Sequence, residues 1–122
     1  MMKFDSAFWL EISELVCSGS IVIDRPQGRA HPRYPEMIYP LNYGYLENTS
    51  AGDGDGIDVW IGSNPEKILT GILCTFDKLK RDAEIKLLIG CTRIDVETIQ
   101  EFNSDMLTLF IPNPMVENEF SG

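Results

Sequence analysis

Asp53, Asp55 and Asp58 fall within six positions of the stretch YPLNYGYLENTSAGDGDGIDVW, residues 39–60. Two carboxylates about 4 Å apart repel by roughly 4 kcal/mol at a surface-like dielectric, so such a group calls for positive charge. Asp-Gly turns account for Asp53 and Asp55 without any chemistry. They do not account for Asp58, which stands inside the apolar run IDVWIG, where a strand disfavours aspartate. A calcium loop of the EF-hand type starting at Asp53 fails: Ile57, Asp58 and Asn64 stand where it needs an oxygen ligand, glycine and glutamate. Oxygen ligation of a hard cation, magnesium first, is the chemistry that remains for at least two of the three.

A second group is basic. Arg25, Arg29 and Arg33 fall within nine residues, with the sole histidine, His31, among them. In so acidic a chain this segment attracts anions, unless it is a solvated loop paired with surface acids. Glu84 and Lys86 lie two apart in AEIKLLI, so a strand places them on one face and Ala83, Ile85, Leu87 and Ile89 on the other. They make either a surface ion pair or a carboxylate for a metal beside an ammonium for a phosphate. Asp77 and Asp82 just before that strand add further acids. Tyr39, Tyr43 and Tyr45 suit core or rim positions, and their hydroxyls also suit an anion. Acids that gather cations beside arginines, a lysine and tyrosine hydroxyls form the inventory of metal-assisted phosphoryl transfer. No Gly-rich P-loop is present.

The elements that must position these groups follow from periodicity. Phe4, Phe8, Ile12, Leu15 and Val16 recur at helical spacing over residues 5–17, with Asp5 or Ser6 as cap and Gly19 as breaker. SIVIDR alternates like a strand, residues 38–45 read as extended, and PQGRAHPRYP and ENTSAGDGDG are loops. IDVWIG, ILTGILCTF, AEIKLLIG and MLTLFI are further strands, with Ile57, Val59 and Ile61 opposite Asp58 and Trp60. DVETIQEFNS predicts a short helix with Asp95 as N-cap. Five or six short strands and two helices with short connections favour antiparallel pairing and a small barrel. The expected organisation is a single domain: helix 5–17, barrel about 20–111 and a loose tail 112–122.

Composition narrows the function classes. A net charge of −9 and a pI near 4.4 argue against non-specific binding to nucleic acid or acidic membrane. Cys17, Cys74 and Cys91 form no C-x-x-C pair and read as reduced, mostly buried thiols of a cytoplasmic protein. The first residues carry Asp5, Glu11 and Glu14, unlike a secretory leader, and no run nears the ~18 apolar residues of a membrane span.

YPLNYGYLENTSAGDGDGIDV resembles the soluble (family I) inorganic pyrophosphatases, whose signature is Y-P-x-N-Y-G-Y/F followed by D-G-D-P-x-D-V. Gly56 replaces the usual proline, and IVIDRPQG resembles the family's first acidic strand. The resemblance implies a five-stranded OB-like barrel with flanking helices, mainly β in the α+β class. It implies more than one magnesium ion and hydrolysis of pyrophosphate to two phosphates by direct attack of water. It assigns metal ligation to Asp53, Asp55 and Asp58, with Asp55 also taking the proton of the attacking water. Asp24 and Glu84 extend the metal set, with Asp82 or Asp77 as a further ligand. Tyr43 and Lys86 are the phosphate-binding candidates, joined by Tyr39 and, by proximity, Arg29 and Arg33. A homo-oligomer is expected, because the C-terminal Tyr-Lys pair of the family has no counterpart here and a neighbouring subunit can supply missing groups. Two other readings are a related barrel that binds an anionic metabolite or protein with little turnover, and a hydrolase of another phosphoanhydride.

Overall fold

The fold is described from a computed structural model covering the backbone of residues 2–116 and the side chains of residues 6–116. The expectations placed on the Phe4 and Asp5 side chains and on residues 117–122 lie outside the described residues. The chain forms α1 (Met2–Ser18), β1 (Ile21–Arg25), β2 (Asn42–Leu46), β3 (Asp58–Ile61), β4 (Leu69–Asp77), β5 (Asp82–Ile89), α2 (Arg93–Phe102) and β6 (Leu107–Pro112).

The strands make one six-stranded sheet in the order β1-β2-β3-β5-β4-β6. Short turns give the expected antiparallel pairs, but β3 and β5 run parallel, with Val59 beside Leu87 and Ile61 beside Ile89. The chain leaves β3, forms β4 one position further out, and returns through the hairpin into the gap. The sheet holds one strand more than the five expected and stays open, with β1 and β6 at its edges.

Alternation along the strands splits the core between the two faces. Val59, Ile72, Leu87 and Ile89 pack with Trp9 and Val16 of α1. Trp60, Leu73 and Leu88 face the other way and pack with Val96 and Ile99 of α2. The expected split of Ile57, Val59 and Ile61 from Asp58 and Trp60 is therefore observed.

Several local expectations are corrected. Helix α1 begins at Met2, before either proposed cap, and buries Trp9 while Phe8 stays 43% exposed. Trp9, Ile12, Leu15 and Val16 form the contact stripe, so Ile12, Leu15 and Val16 pack as expected and Trp9 takes the place of Phe8. Helix α2 begins two residues early, because Thr92 rather than Asp95 is its N-cap. Asp95 sits at the third helical position of a capping box, where Thr92 Oγ1 accepts from Asp95 N at 3.1 Å and Asp95 Oδ2 accepts from Thr92 N at 3.0 Å. Ile85 is 53% exposed, since β5 pairs with β3 only from Leu87 onward and its first half overhangs the covered sheet. Of the thiols only Cys91 is buried; Cys17 is exposed and Cys74 half-buried. The start of the expected loose tail is anchored: Asn113 N donates to Thr70 O and its Nδ2 to Leu69 O, both at 2.9 Å.

Candidate active site

The sheet end formed by β1, β2, β3 and β5 carries the candidate residues. Cross-strand register sets Arg25 beside Tyr43 and Tyr45 beside Asp58. This register requires Gly44, because a Cβ there would collide with the Val22 carbonyl oxygen on β1. The glycine of Y-G-Y thus lets two strands meet closely while its flanking tyrosines stay on the site face.

One cavity gathers the carboxylates of Asp24, Asp55, Asp58 and Glu84. Arg25, Lys86, Tyr39 and Tyr43 line the same cavity. Lys86 is its electrostatic centre: Nζ lies 2.7 Å from the Tyr43 hydroxyl, 3.1 Å from Asp58 Oδ2 and 3.4 Å from Glu84 Oε1. Burial alone would lower the proton affinity of Lys86, but Tyr43, Asp58 and Glu84 outweigh it and raise its pKa above the ordinary lysine value. Burial pushes the Tyr43 phenol up as well, so at neutral pH both groups keep their protons, with Lys86 donating to the Tyr43 hydroxyl. Arg25 donates to the Tyr39 hydroxyl at 2.9 Å, which fixes a second cation at the rim. Burial and the guanidinium charges of Arg25 and Arg33 lower the pKa of His31.

Not every expected residue joins this cavity. Asp53 lines a different, apolar cavity beside Phe8 and Ile12 of α1. Its Oδ1 accepts from the main-chain N of Asp55 at 3.0 Å, a turn contact. Asp82 is exposed and faces Asp77 across the β4–β5 hairpin; Asp77 Oδ1 accepts from Leu79 N and Lys80 N and so closes the turn. Arg29 and Arg33 are exposed on the β1–β2 loop, away from the acids. Arg25 lines the cavity instead. Its signal was its position next to Asp24 at the end of a strand, where it pairs with Tyr43. Trp60 and Phe102 were also missed: with Tyr39 and Tyr43 they form an aromatic wall, Trp60 lying 4.8 Å from Tyr43 and Tyr39 4.8 Å from Phe102, centroid to centroid.

Among the described residues no three His, Cys, Asp or Glu groups converge tightly enough to cage an ion on their own. The donor set nevertheless fits magnesium. All the acids of the cavity offer hard oxygen, and magnesium commonly binds through one or two carboxylates while keeping waters and taking the remainder from phosphate. A caged site of protein ligands is what calcium or zinc would ask for.

Comparison with known proteins bears on the same residues. A family model described as inorganic pyrophosphatase matches residues 11–85, which include every acid of the cavity. The inorganic pyrophosphatase of Haemophilus ducreyi is 33% identical over 76 residues, 56% of this chain and 40% of that protein. That of Buchnera aphidicola is 32% identical over 87 residues, 70% of this chain and 41% of that protein. The chain thus spans about 40% of the length of the curated relatives it matches. The structure of an inorganic pyrophosphatase from Coxiella burnetii superimposes with a TM-score of 0.56 at 16% identity, covering 82% of this chain and 89% of that one, which shows the shared OB-like fold. On the match of more than half its residues to the family model, the chain belongs to the inorganic pyrophosphatase family.

Proposed function

We propose that the protein hydrolyses inorganic pyrophosphate to two phosphates with magnesium bound. The observation that carries this reading is the single cavity in which Asp24, Asp55, Asp58 and Glu84 face Lys86, Arg25 and Tyr43. Asp24, Asp55, Asp58 and Glu84 would hold the metal ions, which supply positive charge to the phosphates and acidify a bound water.

The chain's own groups divide the remaining work. Lys86 and Tyr43 donate to phosphate oxygens, and Arg25, held by Tyr39, adds a cation at the cavity's edge. Lys86 is 8% exposed, so its charge acts across little water. Asp55 is exposed on the loop before β3 and accepts the proton of the attacking water. The test is phosphate release from pyrophosphate with magnesium, with a chelator, and with calcium. Release should need magnesium and be inhibited by calcium, whose longer bonds and higher coordination do not hold an in-line geometry. Release that survives exhaustive chelation would overturn the metal requirement.

A further inference from the structure

A second cavity of about 400 Å³ adjoins the acidic one and shares His31, Tyr39, Tyr43, Glu84 and Lys86 with it. Its character is different. Tyr34, Tyr39, Trp60 and Phe102 line it, and His31 stacks on Tyr39 with their planes 7° apart. Trp60 is 1% exposed, and its Nε1 is a buried donor with no hydrogen-bond partner among the described residues. A buried N–H left unpaired costs about 1–3 kcal/mol, so a cavity beside one favours a ligand that brings an acceptor. Pyrophosphate is compact and fully hydrophilic; aromatic walls give it nothing.

Resting on the function proposed above, we propose that this cavity holds the base of a nucleoside diphosphate whose phosphates lie at Lys86 and Tyr43. A volume of about 400 Å³ accommodates a heteroaromatic ring and its sugar. Base–aromatic stacking contributes about 1–3 kcal/mol per base. A ring nitrogen or carbonyl accepts from Trp60 Nε1. The carboxylates of Asp77, Asp82 and Asp105, also on the cavity wall, favour a base carrying an amino group. In the reaction, water oxygen bonds to the terminal phosphorus and its proton passes to Asp55. The bond from that phosphorus to the bridging oxygen breaks, and the electron pair leaves with the nucleoside monophosphate.

The test is calorimetric titration of the full chain, magnesium present, with two uncleavable probes: α,β-methylene adenosine diphosphate and methylenediphosphonate. The nucleoside probe should bind at least tenfold more tightly. Tyr34→Ala, at a residue 42% exposed and so of small consequence for folding, should remove most of that advantage and leave methylenediphosphonate unchanged. Trp60→Phe keeps an aromatic side chain, removes the N–H, and should weaken the nucleoside probe more than methylenediphosphonate. Equal affinity for the two probes, or equal weakening of both by Tyr34→Ala, would overturn the proposal. The outcome is separable from the function above: pyrophosphate turnover with equal probe affinities sinks only the nucleotide site. Preferential nucleoside binding without pyrophosphate turnover sinks only the pyrophosphate reading.

Discussion

Lys86 Nζ and the Tyr43 hydroxyl meet at 2.7 Å although their strands, β5 and β2, are not neighbours; β3 lies between them and contributes Asp58 to the same contact. A lysine stem long enough to cross one strand therefore ties three strands together at the mouth of the acidic cavity. The sequence expectation that Glu84 and Lys86 share a face holds, and the reason Lys86 stays charged while buried is this pairing across β3.

Lys86→Gln should raise the KM for pyrophosphate by about tenfold to a hundredfold, as a charge-assisted hydrogen bond contributes about 1.5–3 kcal/mol. Magnesium affinity, read by titration without substrate, should change less, because a protonated lysine is no cation ligand. Unfolding stability should fall by about 1–3 kcal/mol, since Asp58 and Tyr43 lose their shared partner. Equal losses of magnesium and substrate affinity would reduce Lys86 to a strand clamp.

Gly44→Ala should be among the most damaging single changes outside the acids. The added Cβ meets main-chain atoms of Val22 and Ile23, not a side chain that can rotate away. Pairing of β1 with β2 must open, which displaces Arg25 from Tyr43 and Asp24 from the cavity. Overpacking of this kind costs about 1–3 kcal/mol or more. A denaturant midpoint matching wild type would show that β1 does not hold the site.

How much of this was legible in the sequence depended on range. The sheet faces were readable because Val59, Trp60 and their neighbours alternate with period two, and each sees only its own strand. The split of the aspartates was not readable. Spacing puts Asp53 two residues from Asp55, but Asp53 lines the cavity beside α1 and its Oδ1 accepts from Asp55 N. Arg25 and the Trp60–Phe102 wall were hidden for another reason. Their partners lie far along the chain, and only the β1–β2 and β2–β3 registers and the docking of α2 bring them together. Thr92 was missed as the cap because Asp95 fits the same role by composition, and the reciprocal pair of bonds decides between them.

Asp95 provides a pH test remote from the acidic cavity. Burial works to raise its pKa, but bonds from Ser63 and Thr92 outweigh it and hold the carboxyl below the ordinary value. The ionised form is favoured by folding, so its contribution is present above the unfolded-state value near 4 and lost as pH falls through the folded value. Asp95→Ala should cost about 1–3 kcal/mol at neutral pH, because Ser63 and Thr92 lose an acceptor. The gap between variant and wild type should narrow as pH drops below about 4. A gap independent of pH would mean that the shape of the side chain, not its charge, holds α2 to the loop after β3.

Asp55 carries the sharpest test of the proposed chemistry. Its main chain is held on both sides, N donating to Asp53 Oδ1 at 3.0 Å and O accepting from Ala51 N at 2.6 Å. Neither bond uses the Asp55 side chain, which is exposed. Asp55→Asn should therefore keep metal-free stability within about 0.5 kcal/mol of wild type, as exposed substitutions usually do. Magnesium at a hundredfold excess over its dissociation constant should stabilise wild type by about 2.7 kcal/mol if it binds only the folded chain. The variant should gain less, having lost one carboxylate of the set. Turnover of pyrophosphate should fall by about a hundredfold to ten-thousandfold, the usual worth of a general base. Melting curves with and without magnesium, set beside phosphate release, read all three effects on one protein preparation. A variant that gains as much from magnesium as wild type and turns over within a few-fold of it would make Asp55 a turn residue, and the proton would have to leave by another group.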